Sequence, residues 1–368
     1  MSEAVAKVPL APPQPEEKEP SPLPGASCPL PITPHEQIVL GHGSGGKLSA
    51  QLIERVFLPA FSNPALDKLD DQAMLEVNGS RLAFTTDAFV VTPLFFPGGD
   101  IGRLAINGTV NDLAMSGARP LYLAAAFILE EGLSTQELQR IVQSMSEAAK
   151  EAGVQLVAGD TKVVNRGKGD KIFISTTGIG VMEKSVNISA DRARPHDKVI
   201  LSGYIGDHGM AILSQRENLE FEGVIESDCA ALHKLVADML DVSLDVHCLR
   251  DPTRGGVATV LNEVAGRSRV GMLLRETEIP VHDTVRGACE ILGLDPLYVA
   301  NEGKLIAVVP GDKADAIVER MRQNPLGRHA RVIGEAIADH PGMVLMKTEI
   351  GGTRVLDTLF GEQLPRIC

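Results

Sequence analysis

Carboxylates beside glycine or threonine are the first residues of this chain whose placing suggests chemistry. Asp70 and Asp71 are adjacent, Asp87 ends the run Phe84-Thr-Thr, and Asp112 lies mid-helix after Asn107-Gly-Thr-Val-Asn111. Asp160 ends a strand in Ala158-Gly-Asp-Thr-Lys162, and Asp251 opens Asp-Pro-Thr-Arg-Gly-Gly256. In α/β proteins, loops at strand ends are where scaffold meets ligand. Taken singly, each aspartate is also an ordinary turn former, and Asp251 before its proline could cap a helix at 255. Taken together, they would repel one another unless a cation lay between them. Mg²⁺ favours carboxylate oxygens combined with substrate phosphates.

Gly41-His-Gly-Ser-Gly-Gly-Lys47 offers backbone that can approach phosphate closely, because glycine adopts φ > 0 and carries no side chain. It reads as a P-loop that lacks the usual hydroxyl residue at Leu48, or as a dinucleotide turn with Asp67 or Asp70 as the ribose acid. A plain Gly-rich helix entry is the third reading. Lys162 and Arg254 place positive charge in the aspartate motifs, suited either to triphosphate oxygens or to solvent. Glu302, in Asn301-Glu-Gly-Lys304 ahead of an apolar strand, is a candidate general base if buried and otherwise an edge turn. His42 and His208 are candidate ligands, but no His-x₃-His pair or dense cluster supports zinc. These residues point to a magnesium–nucleotide site, and they leave Cys368, the last residue, unexplained.

The elements that would position them alternate. Leu48, Leu52, Ile53 and Val56 share a helix face, Leu82 begins a strand, and a helix is predicted from about 102 to 116. A strand over 122–129 leads to Ser134 and Glu137 at capping-box spacing; the helix they open carries Leu138, Ile141, Val142 and Met145 inward and stops at Gly153. Strands near 155–158 and 171–182 complete a first α/β unit, and the Pro-containing stretch 192–196 marks a boundary. The second half mixes helices near 228–241, 255–266, 283–293 and 313–323 with strands near 270–274, 304–309 and 331–337. Strict βαβ spacing is lacking, so the expectation is an α+β pair of domains. Residues 1–34 hold ten of the 23 prolines and read as a disordered tail. The domains are then 35–190, 191–345 and a mobile segment 346–368, where periodicity fades from about Gly351.

Composition excludes several classes. Lys and Arg number 35 against 48 Asp and Glu, a net charge of -13 without a basic run, which argues against nucleic acid as partner. No apolar stretch is long enough to span a membrane, and the start lacks a secretion signal, so a cytoplasmic location is expected. Five cysteines without a Cys-x-x-Cys pair argue against a zinc ribbon, a thioredoxin motif or a disulfide framework. Cys229, Cys248 and Cys289 are expected to be small buried hydrophobes.

Read together, these motifs resemble the HypE family, carbamoyl dehydratases of [NiFe]-hydrogenase maturation, within the superfamily of aminoimidazole ribonucleotide synthetase, thiamine-monophosphate kinase and selenophosphate synthetase. The segments that carry the resemblance are GHGSGGKLS (41–49), TTDAFVVTPLFFPGGDIGRLAINGTVNDLA (85–114), EEGL (130–133), AGDTKVV (158–164), GDHG (206–209), SDCA (227–230), DPTRGG (251–256), NEGK (301–304) and the closing PRIC (365–368). LFFPGGDIG and PRIC are particular to that family; the aspartate motifs are shared across the superfamily. The resemblance implies a two-domain aminoimidazole ribonucleotide synthetase-like fold whose N-terminal-domain strands form a homodimer interface. It implies ATP and Mg²⁺, with Asp70, Asp87, Asp112, Asp160 and Asp251 on the metal. Gly43, Gly45, Gly46, Lys47, Asn111, Thr161 and Arg254 would bind nucleotide. Cys368, Lys162, Glu302 and Asp112 would be catalytic. The thiol would receive a carbamoyl group from the carbamoyltransferase HypF, and ATP-dependent dehydration would make a thiocyanate whose cyanide passes to a HypC–HypD iron scaffold. A small-molecule kinase or synthetase of the same superfamily is the alternative.

Overall fold

The computed structural model describes residues 37–368 apart from Lys184, Glu222, Glu362, Gln363 and Pro365, so the expected Pro-rich tail lies outside the described residues. Within Val39–Cys368 two large sheets and a two-stranded one, Phe95–Phe96 with Gly99–Asp100, belong to one unit. The first has five strands in the order Ala73–Val77, Ser80–Phe89, Ile172–Met182, Arg119–Glu130 and Gln155–Val164. Its pairings are antiparallel except the last, which is parallel. Alternate residues of Ile172–Met182 are buried, the period-2 pattern of a sheet with one covered face. The helix Ile101–Met115 covers that face, packing on Ser80–Phe89 and Ile172–Met182.

That helix is buried on nearly every side, so Asn107, Asn111 and Asp112 ride on a rod held inside the protein. Asp100 caps it, its side chain accepting from the amides of Gly102 and Arg103. Gly102 meets the second helix, Thr135–Ala152, where a Cβ would lie 2.4 Å from the Ile141 carbonyl. The expected caps of Thr135–Ala152 are half present. Ser134 accepts from Gln136 and Gly153 closes the helix at φ 70, but Glu137 pairs with Lys171 at 3.2 Å instead of turning back to the cap.

The second sheet has seven strands in the order Thr353–Leu356, Val344–Lys347, Gly271–Arg275, Arg331–Ile337, Lys198–Leu201, Ile306–Val309 and Cys248–Arg250. The mixed α+β architecture is the one expected. The sequence reading misses the helix Asp207–Glu217 and the strand Thr353–Leu356. The helix opens on Gly206 in the left-handed region and is buried from Asp207 to Ile212, so it shows no amphipathic stripe. The strand pairs with Val344–Lys347, which carries regular structure past Gly351. Cys229, Cys248 and Cys289 are buried free thiols, as expected.

Candidate functional site

Four aspartates and a glutamate converge where the two sheets meet. Asp87 is presented by Ser80–Phe89, Asp112 by the buried helix, Asp251 by the loop after Cys248–Arg250, and Asp71 by the bend before Ala73–Val77. Thr85 ties three of these elements together, its hydroxyl lying 2.8 Å from Asp112 Oδ2 and 2.9 Å from the Asp71 carbonyl. Glu302 enters from the loop ahead of Ile306–Val309 and is 3% exposed, with Oε1 buried and unpartnered. Asp251 does not cap the following helix. Gly255 holds that position without a side-chain bond, which leaves the Asp251 carboxylate to the cluster.

Electrostatics record the crowding. Burial, followed by the charges of Asp251, Asp87 and Asp71, holds Asp112 well above the ordinary carboxylate range. Glu302 is likewise raised by burial and then by Asp251, Asp228 and Asp87, against the pull of Arg254. Burial raises Asp71 although Arg250 Nε sits 3.0 Å from its Oδ1. Asp251 is raised by burial from 3.8 to about 6. Such a group keeps its proton longer in the folded state, so its cost to stability is absent below about pH 3.8 and complete once pH passes about 6. Asp251→Asn is expected to stabilise the metal-free protein at about pH 8 by on the order of 2 kcal/mol and to change little at about pH 3. Paired thermal melts at the two pH values check this, and an equal difference at both would refute it.

The chain terminus reaches this cluster. A backbone oxygen of Cys368 accepts from the Val90 amide at 2.9 Å, and the Arg366 carbonyl accepts from the Thr92 amide at 3.4 Å. Ile367 is buried. Burial pushes the Cys368 thiol up to about 12, with Arg254 opposing and Glu302, Asp87 and Asp251 adding to the rise. Arg254, at the exposed rim, also donates to the Gly43 carbonyl at 3.0 Å and so joins the Gly-rich loop to the pocket.

Not every expected residue is there. Asp70 faces away, accepting from Ser189 Oγ at 2.7 Å and the Ala190 amide at 3.0 Å, and thereby pins the boundary stretch between the halves. Its neighbour Asp71 takes the place in the cluster. Asp160, Thr161 and Lys162 lie on the exposed edge strand Gln155–Val164, where Lys162 Nζ pairs with Asp160 at 2.6 Å and the Thr161 amide donates to Asp160 Oδ1. Lys47 pairs with Asp357 at 2.6 Å, and the amides of Lys47 and Leu48 donate to the carbonyls of Leu359 and Phe360. The Gly-rich loop thus holds the chain's closing segment: a Cβ at Gly46 would lie 2.5 Å from the Leu359 carbonyl, and one at Gly45 would lie 2.9 Å from Arg254 Cβ. Asn111 positions backbone, donating to the Ala230 and Glu302 carbonyls and accepting from Leu232. Sequence reasoning missed Arg250, whose guanidinium bridges Asp71 and Glu263, and the buried pair Asp228–Lys304 at 2.9 Å, which flanks Glu302.

Among the described residues no group of three His, Cys, Asp or Glu side chains closes to metal-holding geometry. The donor set nonetheless fits a hard cation. It is all oxygen, Asp71 Oδ2 and Glu302 Oε1 are buried without partners, and Mg²⁺ commonly takes one or two carboxylates together with phosphate and water.

Residues 69–182 match the AIR synthase related protein N-terminal domain, and residues 194–346 match its C-terminal domain. The carbamoyl dehydratase HypE of Azotobacter vinelandii is 58% identical over 327 residues, 89% of this chain and 96% of the relative. A crystal structure of a HypE–HypF complex aligns at TM-score 0.80 and 49% identity, covering 84% of this chain and 99% of that one. A HypE crystal structure in complex with ATP aligns at TM-score 0.76 and 52% identity, covering 90% and 100%.

Proposed function

The chain belongs to the HypE family of carbamoyl dehydratases, and from that premise we propose that Cys368 carries the carbamoyl group while the clustered carboxylates serve its dehydration. The observation that carries this reading is the chain terminus itself, docked so that its thiol shares one electrostatic environment with Arg254, Asp87, Asp251 and Glu302.

The chemistry follows from leaving groups. Oxygen leaves a thiocarbamate poorly as hydroxide and well as phosphate. ATP therefore phosphorylates the carbamoyl oxygen, the two N–H protons are removed, the C–O bond breaks, and the cysteine keeps an S–C≡N group beside ADP and phosphate. Glu302 takes an amide proton; burial and then the charges of Asp251, Asp228 and Asp87 hold its pKa well above the ordinary carboxylate range, which makes it a stronger base than a free carboxylate. Arg254 neutralises developing phosphate charge at the rim. Asp71, Asp87, Asp112 and Asp251 hold magnesium with the triphosphate; the bound metal supplies Lewis acidity and charge neutralisation. HypF loads the cysteine beforehand; the thiocyanate carbon stays electrophilic and its sulfur leaves as thiolate, so the cyano group becomes a cyanide ligand on the HypC–HypD iron scaffold when a two-electron reductant there supplies the electrons.

A homodimer completes the reading. The edge strand Gln155–Val164 is exposed almost throughout, and Leu156, Val157 and Val163 on it join Phe84, Tyr122, Ile128 and Ile179 as uncovered apolar residues of the same sheet. A second copy on that face would cover them and enclose Asp160, Thr161 and Lys162 beside the nucleotide. A cytoplasmic setting, where thiols stay reduced, suits the free terminal cysteine. Mass spectrometry tests the activity: the carbamoylated chain given ATP and magnesium should lose the mass of one water, and a chelator should stop the loss. An unchanged mass with both present would refute the assignment.

A further inference from the structure

Contacts away from the carboxylates hold the last three residues. His208, buried on the helix Asp207–Glu217, places Nε2 2.8 Å from the Ile367 carbonyl and Nδ1 2.8 Å from Ser227 Oγ. A carbonyl only accepts, so Nε2 carries the proton and Nδ1 accepts from the serine hydroxyl. Burial lowers the imidazole pKa, in keeping with this neutral tautomer. The serine is itself fixed: its amide donates to the Pro97 carbonyl at 2.8 Å and its Oγ accepts from the Cys229 amide at 3.1 Å. Phe96 meets the imidazole edge-on, with ring centroids 5.6 Å apart. A Cβ at Gly98 would lie 2.6 Å from the Ser227 backbone, so the Phe-Pro-Gly-Gly turn closes on Ser227 only with glycine there.

On the other side, the Arg366 guanidinium pairs with Asp170 and reaches Thr92 Oγ1 at 3.0 Å, while that hydroxyl donates to Asp170 Oδ2 at 3.0 Å. Arg216 donates to the Arg366 carbonyl at 2.8 Å. Two successive carbonyls of the tail are thereby gripped by His208 and Arg216 of the one helix Asp207–Glu217, and the residue after them is the cysteine.

We propose that His208 and Asp170 are the two points of a latch that sets the register of the docked tail, acting as positioning residues for the thiol. The inference rests on the reading of Cys368 as carrier. Neither residue touches the reacting atoms. Holding the Ile367 carbonyl and the Arg366 guanidinium leaves the cysteine little beyond its own side-chain rotation, and reaction rates are sensitive to ångström-scale misplacement. This assigns a purpose to the two most distinctive motifs at once: the LFFPGG turn braces His208, and the arginine of the closing PRIC is the second anchor.

The test uses the full chain. The Val90 and Thr92 amides donate to a backbone oxygen of Cys368 and to the Arg366 carbonyl, so their hydrogen exchange reports docking directly. Asp170→Asn and Arg366→Ala, at half-exposed positions, should speed exchange at both amides and lower the dehydration kcat by about 10- to 100-fold, with KM for ATP unchanged. The swap Asp170→Arg with Arg366→Asp should recover both readings. His208→Gln should loosen the same amides while its melting point shows that the fold persists. Unchanged exchange in Asp170→Asn and His208→Gln, or a swap that recovers nothing, would overturn the latch. Exchange needs neither carbamoyl group nor ATP, so a wild-type chain with protected amides and no dehydration would sink the carrier reading alone.

Discussion

Cys368→Ser should abolish thiocyanate formation while ATP binds as tightly as to the wild-type chain. The pocket is built by residues that this change leaves in place: Asp71 against Arg250, Asp112 against Thr85, and Glu302 beside the Asp228–Lys304 pair. What is lost is the group that reacts. A hydroxyl is a weaker nucleophile than a thiol at neutral pH and would be a poorer acceptor of the carbamoyl group. Intact-mass measurement after incubation with the loading partner and ATP would show neither carbamoylation nor loss of water, and calorimetry would show normal nucleotide binding. A serine variant that loses the mass of water would overturn the assignment of Cys368. The thiol's environment adds a constraint on order. Inside the pocket burial pushes its pKa up to about 12, so the docked thiol is protonated and a poor nucleophile. On the proposed role of Cys368, loading is expected to be faster on a tail outside the pocket, where a free cysteine ionises at about 8.5, than on the docked one.

The parts of this arrangement that were legible in the sequence are those with a local signature. Ser134 and Gly153 bracket Thr135–Ala152, and alternation marks Ile172–Met182, because capping and pleat are properties of neighbouring residues. Asp87, Asp112, Asp251 and Glu302 stood out as carboxylates set against glycine, threonine or a buried strand, and all four are brought together. Asp70 and Asp71 could not be ranked by type or spacing. The bend they occupy has no period, and the choice is made by what lies opposite: Ser189 and Ala190 for one, Arg250 for the other. Asp160 shares the local signature of Asp87, yet its strand is at the sheet edge and that of Asp87 is interior, a difference set by strand order. Lys47 is similar, since its partner Asp357 lies 310 residues away. The reach of His208 to Ile367 is a long-range contact of the same kind, which composition and periodicity leave open.

Glu302→Gln is expected to bind ATP, accept the carbamoyl group and then stall, with dehydration slowed by about 10²- to 10⁴-fold, the usual range for losing a general base. The substitution keeps size and removes only the ability to take a proton. Glu302 is suited to that task by its enclosure: burial and the neighbouring carboxylates of Asp251, Asp228 and Asp87 raise its affinity for the proton, while Oε1 has no competing partner. Its aim is fixed from behind. Asp228 accepts from the Glu302 amide at 3.0 Å and from Lys304 Nζ at 2.9 Å, and Asn111 holds the Glu302 carbonyl at 3.3 Å. The NEGK turn is therefore rigid on the side away from the thiol, and the Gly303 position allows it, since a Cβ there would lie 1.8 Å from the Asp228 carbonyl. Single-turnover experiments on the loaded variant should find carbamoylated protein persisting with ATP bound. Turnover at the wild-type rate would move the base elsewhere, and a variant unable to bind ATP would instead make Glu302 part of the nucleotide site. Glu302→Asp should recover little, because the shortened carboxylate is drawn back toward the turn that Asp228 and Asn111 hold in place.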